Sequence, residues 1–167
     1  MKKDINQLIQ KKEYEKAEKL LKNLYDKNEI DYLQLHQLAF LNIIKSNNEE
    51  AIILLKKSIE KNPNYPNSYS DLGSLYLKNN QIYEAKKYFL KSLDVNENLF
   101  SSLNNLGLIY KNQREYKLSI KYFLSALKVN PKNYLVIYNL AQLFDGIKDY
   151  KKAKDFYIKV INLKPSY

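Results

Sequence analysis

The chain contains no cysteine and only one histidine, His36. The absence of cysteine excludes a thiolate nucleophile, a disulfide and a cysteine-ligated zinc site. No base or nucleophile stands in register with His36, which is therefore expected to line a surface. These absences predict a protein that is not an enzyme, with no catalytic residues, no metal site and no cofactor.

Arginine is almost missing as well. The net charge of +10 comes from 28 basic and 18 acidic residues, and every basic residue except Arg114 is a lysine. Sequence-specific nucleic-acid recognition relies on the bidentate contacts of arginine, so nucleic acid is not the expected partner. The hydrophobic share of 45% and the charged share of 28% are typical of a folded globular chain.

Long apolar runs are also lacking. The N-terminus has no apolar core of the kind that a secretory signal requires. No stretch approaches the roughly 20 apolar residues of a membrane span. The sequence therefore predicts a cytoplasmic protein with no membrane partner.

The chain does contain an internal repeat with a period of 34 residues, a length typical of repeat proteins. At six positions of the repeat, the residues 34 apart are similar in type. Two of these positions hold small residues, one holds leucine, two hold bulky or aromatic residues and one holds mostly proline. The members of the six positions are Ala39, Gly73, Gly107 and Ala141; Ala51, Ala85, Ser119 and Ala153; Leu38, Leu72, Leu106 and Leu140; Leu55, Phe89, Phe123 and Tyr157; Tyr76, Tyr110 and Phe144; and Pro63, Glu97, Pro131 and Pro165.

Each 34-residue unit has the pattern of two helices. In the third unit, Pro66 opens a helix that runs to Lys78, Asn79-Asn80 forms a turn, and residues 83–94 carry apolar side chains at helical spacing. The small residues Gly73 and Ala85 are expected where the two helices cross. The pattern predicts an all-α fold made of helical hairpins.

Three segments resemble the tetratricopeptide repeat, with its W-x-x-L-G-x-x-Y and A-x-x-x-F signature. They are YSDLGSLY at 69–76, LNNLGLIY at 103–110 and AKKYFLKS at 85–92. The tryptophan of the signature is replaced by Leu35, Tyr69, Leu103 and Ile137. The resemblance implies a right-handed α-α superhelical solenoid of stacked helix-turn-helix hairpins. It also implies a non-catalytic scaffold that binds an extended peptide segment of a partner protein in its concave groove.

The repeats are expected to form a single solenoid over residues 1–167. Full repeats span residues 32–65, 66–99, 100–133 and 134–167. Residues 1–31 are interpreted as a degenerate capping repeat, with a short first helix at about 5–10 and a second helix at 11–21.

In this family the first helices of successive hairpins line the groove. The lining positions lie six, three and two residues before the small residue and one residue after it, and none of the sixteen is a lysine. They are Leu33, His36, Gln37 and Phe40; Asn67, Ser70, Asp71 and Ser74; Ser101, Asn104, Asn105 and Leu108; and Leu135, Tyr138, Asn139 and Gln142.

Two branches of the family suggest what such a groove could hold. The carboxylate clamp of heat-shock co-chaperones is matched at Lys2 and Asn6, but its remaining positions carry Gln37, Asn67 and Asp71 and lack the cations. The asparagine ladder of O-linked N-acetylglucosamine transferase is a closer match, at Gln37, Asp71, Asn105 and Asn139. An amide offers both a donor and an acceptor to a peptide backbone. Asn105 and Asn139 are therefore predicted to hold the peptide backbone, with Phe40, Leu108, Leu135 and Tyr138 contacting its side chains.

The C-terminal hairpin suggests two alternatives. No polar helix follows it, so Phe156, Tyr157, Val160 and Ile161 are expected to leave an apolar surface in water, and such patches usually mark contacts. This end could pair with a second copy of the chain. It could also meet a neighbouring domain of a larger enzyme, such as a glycosyl- or sulfotransferase, for which the repeats recruit substrate.

Overall fold

A computed structural model describes residues 2–164, with side chains from Asp4 onward. This part of the chain is built from ten α-helices. They are α1 Lys2–Gln10, α2 Tyr14–Asp26, α3 Tyr32–Ile44, α4 Asn48–Lys61, α5 Pro66–Lys78, α6 Ile82–Val95, α7 Phe100–Asn112, α8 Tyr116–Val129, α9 Tyr134–Gly146 and α10 Tyr150–Leu163. The two helices predicted for the third unit are confirmed as α5 and α6. The proline position at Pro165 lies outside the described residues.

The helices form five hairpins that stack in chain order. Each helix packs on its partner in the hairpin, and the second helices α2, α4, α6 and α8 each pack on the first helix of the next hairpin. The result is the predicted all-α, right-handed superhelical solenoid.

A left-handed residue in each hairpin turn fixes its geometry. The second residue of every turn has φ between 58° and 63°, and the next amide bonds back to the helix, as when Gln81 N donates to the Tyr76 carbonyl at 2.8 Å. This back-bonding satisfies carbonyls that the helix end would leave unpaired. The five residues are Lys12, Ser46, Asn80, Arg114 and Lys148.

Small residues on the first helices make room for large side chains on the second helices. Gly73 lies against the ring of Phe89, and Gly107 lies against the ring of Phe123; both rings are fully buried. The small residues thus admit an aromatic ring at the helix crossing. In the fourth unit, Ser119 Oγ also donates to the carbonyl of Gly107 at 2.7 Å.

Aromatic pairs stack inside three successive hairpins. Their ring centroids are 5.3–5.5 Å apart with planes within 11° of parallel. Burial raises the pKa of the tyrosines on the second helices of the first two pairs. These tyrosines serve packing, as the sequence predicts. The pairs are Tyr76–Tyr88, Tyr110–Tyr122 and Phe144–Phe156.

The two ends differ from the sequence-based expectation in detail. At the N-terminus, α1 already begins at Lys2, and its Ile5 is fully buried, so the first helix is longer and better packed than predicted. At the C-terminus, the predicted exposure of Val160 is wrong because this residue is buried with 3% of its surface accessible. Ile161 is 56% exposed, as expected.

Phe156 and Tyr157 are each only half-exposed because aromatic neighbours on α9 cover part of them. Tyr157 packs edge-on against Tyr138, with centroids 6.1 Å apart. Over residues 2–164, no helix has the length and apolar character needed to cross a bilayer.

Candidate binding groove

The first helices α1, α3, α5, α7 and α9 lie side by side and present a continuous surface, here called the groove. Hydrogen bonds between side chains connect each of these helices to the next. The predicted lining residues lie on these helices, and all of them except Ser70, which is only 2% exposed, have accessible surface. The connecting pairs are Asn6–Gln37, His36–Asp71, Ser70–Ser101 and Lys111–Asn139.

At the N-terminal end, the groove contains a depression of about 320 Å³ between α1 and α3. Gln37 Nε2 donates to Asn6 Oδ1 at its wall. Phe40 is 38% exposed at the same wall, so the depression offers an apolar surface beside an amide. The side chain of Lys2, which completes the first clamp pair, lies outside the described residues. The lining residues are Asn6, Ile9, Gln10, Leu33, His36, Gln37, Phe40 and Tyr65.

His36 and Asp71 form a pair that the sequence-based reasoning missed. His36 Nε2 lies 2.9 Å from Asp71 Oδ2, and the rings of His36 and Tyr65 are nearly perpendicular, with their centroids 5.1 Å apart. The expectation that no base stands in register with His36 is therefore wrong. The neighbouring hydroxyls are engaged elsewhere: Ser70 bonds Ser101 at 2.8 Å, and Ser74 donates to the Ser70 carbonyl. The His36–Asp71 pair thus connects α3 to α5.

The middle of the groove carries open amides. Asn104 and Asn105 on α7 are partly exposed, and neither side chain makes a hydrogen bond within the described part of the chain. Leu108, one turn further along α7, is half-buried against the C-terminal core cluster. This region offers unused donors and acceptors beside an apolar side chain.

A lysine enters the groove at its C-terminal half. Lys111 Nζ donates to Asn139 Oδ1 at 2.7 Å and to Gln142 Oε1 at 2.6 Å. Burial lowers the pKa of Lys111 below its ordinary value. The groove is therefore not free of lysine, although the sixteen predicted positions are. Lys111 stands four residues after Gly107, outside the chosen lining positions.

The sequence did contain a signal for this lysine. The corresponding residues of the other full repeats are Ile43, Leu77 and Asp145, so this position changes from apolar to charged at Lys111. A lysine at such a position on a first helix must either reach solvent or find partners on the next helix.

The predicted apolar residues of α9 have accessible surface, and the basic residues lie mostly on the second helices. Leu135 is 49% exposed on α9, and Tyr138 is half-exposed beside it. Most lysines lie on the second helices, where Lys86 covers the ring of Tyr110 at 4.5 Å. Exposed lysines of the second helices include Lys56, Lys87, Lys121, Lys151 and Lys152.

Comparison with known proteins supports the repeat assignment. Three sequence profiles described as tetratricopeptide repeat match residues 54–87, 100–133 and 135–167, which together make up more than half of the chain. Comparison with curated protein sequences finds no match.

Several solved structures share the fold. MamA is 16% identical with a TM-score of 0.83, covering 96% of this chain and 94% of its own. A MamA fragment from Desulfovibrio magneticus is 19% identical with a TM-score of 0.81, at 99% and 93% coverage. YrrB, titled a TPR protein with an unusual peptide-binding site, is 18% identical with a TM-score of 0.77, at 98% and 84% coverage. The repeat period, the hairpin stack and the profile matches place this chain in the tetratricopeptide repeat family of protein-interaction scaffolds.

Proposed function

We propose that the chain is a non-catalytic scaffold that binds an extended segment of a partner protein in the groove. The observation that carries the proposal is the side chain of Asn105, a partly buried amide with no hydrogen bond within the described residues. Partly desolvated polar groups gain free energy when they acquire a partner. The N–H and C=O groups of a peptide backbone match both functions of this amide.

The other ladder positions each keep one hydrogen-bonding function for a ligand. Asn139 Oδ1 accepts from Lys111, which leaves its Nδ2 to donate to a peptide carbonyl. Asp71 uses Oδ2 for His36, which leaves Oδ1 to accept from a peptide N–H. Gln37 uses Nε2 for Asn6, which leaves its Oε1 as an acceptor. A peptide bonded along these positions would be held by its backbone.

Apolar side chains between the polar positions would select the peptide side chains. Phe40 and Leu135 are exposed by 38% and 49%, although other apolar residues of the same helices are buried. Leu108 and Tyr138 lie between them in partly exposed positions. We expect affinity of about 1 μM, because an extended segment loses conformational freedom on binding. The peptide-binding site named for YrrB supports a similar role for the same fold here.

The experiment that tests this function is selection of a displayed random-peptide library on the purified chain. The wild type is compared with Asn105→Ala and with Asn112→Ala, which removes an exposed amide at the end of α7. Asn105→Ala is the cleaner groove variant, because Asn139→Ala would also release Lys111. Circular dichroism checks that both variants keep their helices.

We expect a peptide motif to be enriched by the wild type and by Asn112→Ala, and to be lost or bound at least fivefold more weakly by Asn105→Ala. A motif that survives in Asn105→Ala with unchanged affinity would rule out the backbone role of this residue. Failure to enrich any motif would contradict peptide binding by the groove.

A second candidate function is self-association through α10. In the repeat position of Ile161, the residues of the earlier repeats are partly covered, whereas Ile161 is 56% exposed. Ile158 on the same helix is 45% exposed, but its counterparts Leu90 and Leu124 are also exposed, by 38% and 40%. The surface around Ile161 corresponds to the surface that is partly covered in the earlier repeats. The earlier members of the Ile161 position are Ile59, Leu93 and Leu127.

Sedimentation velocity over a concentration series tests this second function. Self-association predicts a mass that rises with concentration in the wild type and stays monomeric in an Ile158→Lys/Ile161→Lys variant. Val160 and Tyr157 are left intact, since both contribute to packing within the chain. A monomeric wild type at all concentrations would exclude self-association through α10.

A further inference from the structure

We propose that Lys111 is the binding site for a carboxylate, supplied by an aspartate or glutamate side chain of the peptide that occupies the groove. The inference rests on the proposed peptide-binding function and names the chemistry of one position of the ligand. It follows from the surroundings of Lys111, from the geometry of its ammonium group and from the charge of the groove around it.

The charge of Lys111 is partly buried without a compensating carboxylate. Its partners in the described residues are the neutral amide oxygens of Asn139 and Gln142. Burial lowers its pKa, and no acidic neighbour contributes an opposing effect. Burying an ammonium group without an opposite charge is unfavourable, and a carboxylate from outside would relieve that cost.

The hydrogen bonds of Lys111 also preorganise it. An ammonium group has three N–H donors. Asn139 and Gln142 each accept one at 2.7 and 2.6 Å, which leaves a third donor for a ligand. Both acceptors lie on α9, so the ammonium is held between α7 and α9 and does not extend freely into solvent. A fixed donor loses little conformational entropy when a ligand binds.

A single lysine suits a carboxylate better than a phosphate. Phosphate recognition generally uses several cations or the bidentate fork of arginine. The only arginine, Arg114, lies exposed in the turn between α7 and α8. The side chains of Leu108 and Leu135 belong to the same part of the groove and favour peptide side chains.

The N-terminal half of the groove carries a negative charge, in contrast to the positive charge of Lys111 in the C-terminal half. Asp71 keeps one carboxylate oxygen free of the His36 contact, and its side chain is 39% exposed. A bound segment would therefore meet a negative position in the third repeat and a positive one in the fourth. This polarity gives an acidic side chain one preferred place along the groove.

The test uses arrays of peptides with amidated C-termini, so that every carboxylate offered is a side chain. The proteins compared are the wild type, Lys111→Met, Lys111→Glu and Lys78→Met. Lys78→Met is the matched control, because Lys78 is an exposed lysine in the last turn of the preceding first helix. Methionine keeps the apolar stem of the lysine, and circular dichroism checks that each variant is folded.

We expect the wild type and Lys78→Met to prefer aspartate or glutamate at one fixed peptide position. Replacing that residue by its amide should weaken wild-type binding about tenfold and leave Lys111→Met unaffected. Lys111→Glu should prefer lysine or arginine at the same position.

The outcomes separate the two proposals. A motif that depends on Asn105 but has no acidic preference, or keeps it in Lys111→Met, overturns the carboxylate site and leaves peptide binding standing. Dependence on Lys111 that appears only when peptides carry a free C-terminus, or a phosphorylated residue, overturns the assignment to an acidic side chain. No enriched motif in any protein overturns both proposals.

Discussion

A Cβ atom built on Gly107 would lie 2.6 Å from Cε1 of Phe123, a residue with no accessible surface. The same relationship holds one repeat earlier, where a Cβ on Gly73 would lie 2.9 Å from the ring of Phe89. The second repeat has an alanine at the small position and a leucine in place of phenylalanine. From the second to the fourth repeat a larger small residue therefore goes with a smaller partner 16 residues later, whereas the fifth repeat combines Ala141 with Tyr157.

Gly107→Ala is expected to destabilise the chain by about 1–2 kcal/mol. The clash with Phe123 costs about 1–3 kcal/mol, and the better helix propensity of alanine recovers up to about 1 kcal/mol. Adding Phe123→Leu, the combination found at Ala39 and Leu55, should restore part of the loss. Urea unfolding of the two single variants and the double variant measures the coupling.

Gly146→Ala is the control for this cycle, because a Cβ at Gly146 meets nothing within 4 Å. It should leave stability unchanged or raise it slightly. If Gly107→Ala proved as harmless as Gly146→Ala, the packing relationship between Gly107 and Phe123 would be refuted.

A buried serine pair in the third and fourth repeats is expected to act as a unit. Ser92 Oγ donates to the Phe89 carbonyl and hydrogen-bonds the Ser102 hydroxyl, and both serines are fully buried. Ser92→Ala leaves the Ser102 hydroxyl without this partner, which should cost about 1–3 kcal/mol.

The double variant Ser92→Ala/Ser102→Val should recover most of that stability. It reproduces the next repeat, where the corresponding residues are the buried Ala126 and Val136. Thermal unfolding followed by circular dichroism measures the three variants. Strictly additive losses would show that the two hydroxyls do not depend on each other.

Lys148→Gly is expected to stabilise the chain by up to about 1 kcal/mol. Lys148 has φ of 63°, a conformation that costs a residue with a Cβ about 1 kcal/mol and costs glycine little. Ile147→Gly is the control, because Ile147 has φ of −93° and gains nothing from glycine there. Chemical unfolding that ranked Lys148→Gly below the wild type would contradict this reason.

The ion pairs of Glu18 predict a pH-dependent contribution to stability. Its pKa is held below the ordinary value, chiefly by the hydrogen bond from Lys45 and further by Lys22. The unfolded chain therefore binds a proton more readily than the folded chain. The contribution is complete above pH about 4.3, the ordinary glutamate value, and is lost as the pH falls through the lower folded pKa.

Glu18→Gln should cost about 1 kcal/mol at pH 7 and almost nothing at pH 2.5. Glu97→Gln alters an exposed carboxylate in the turn before α7. Its unfolding free energy should not show a penalty at pH 7 that disappears at pH 2.5. Unfolding free energies at the two pH values give the result. A Glu18→Gln penalty that persists at low pH would exclude the ionic origin.

The sequence reveals the repeat more fully than the groove. The 34-residue spacing of small and bulky residues predicts the hairpins, because a residue without a side chain, such as Gly73, makes room for a ring such as that of Phe89 where two helices cross. The pairing of His36 with Asp71 was not predictable, because it depends on the rotation between consecutive repeats. Lys111 was missed for the same reason, since only the folded chain brings it to Asn139.

At the C-terminal end, the exposure of individual side chains could not be predicted from the order of the helices alone. Val160 was expected in water because no further helix follows α10. It is buried with 3% of its surface accessible, whereas Ile161, the next residue, is 56% exposed. Helical phase, which changes by about 100° per residue, decides between the two.

Photo-cross-linking from the groove tests the central claim most directly. Benzoylphenylalanine is placed at 108, in the groove on α7, or at 124, an exposed leucine on the second helix of the same hairpin. The chain is then irradiated with the peptide that the library selects. Groove binding predicts a cross-link from position 108, competed by unlabelled peptide, and none from position 124. A cross-link from position 124 alone would place the peptide on the second helices and contradict the account.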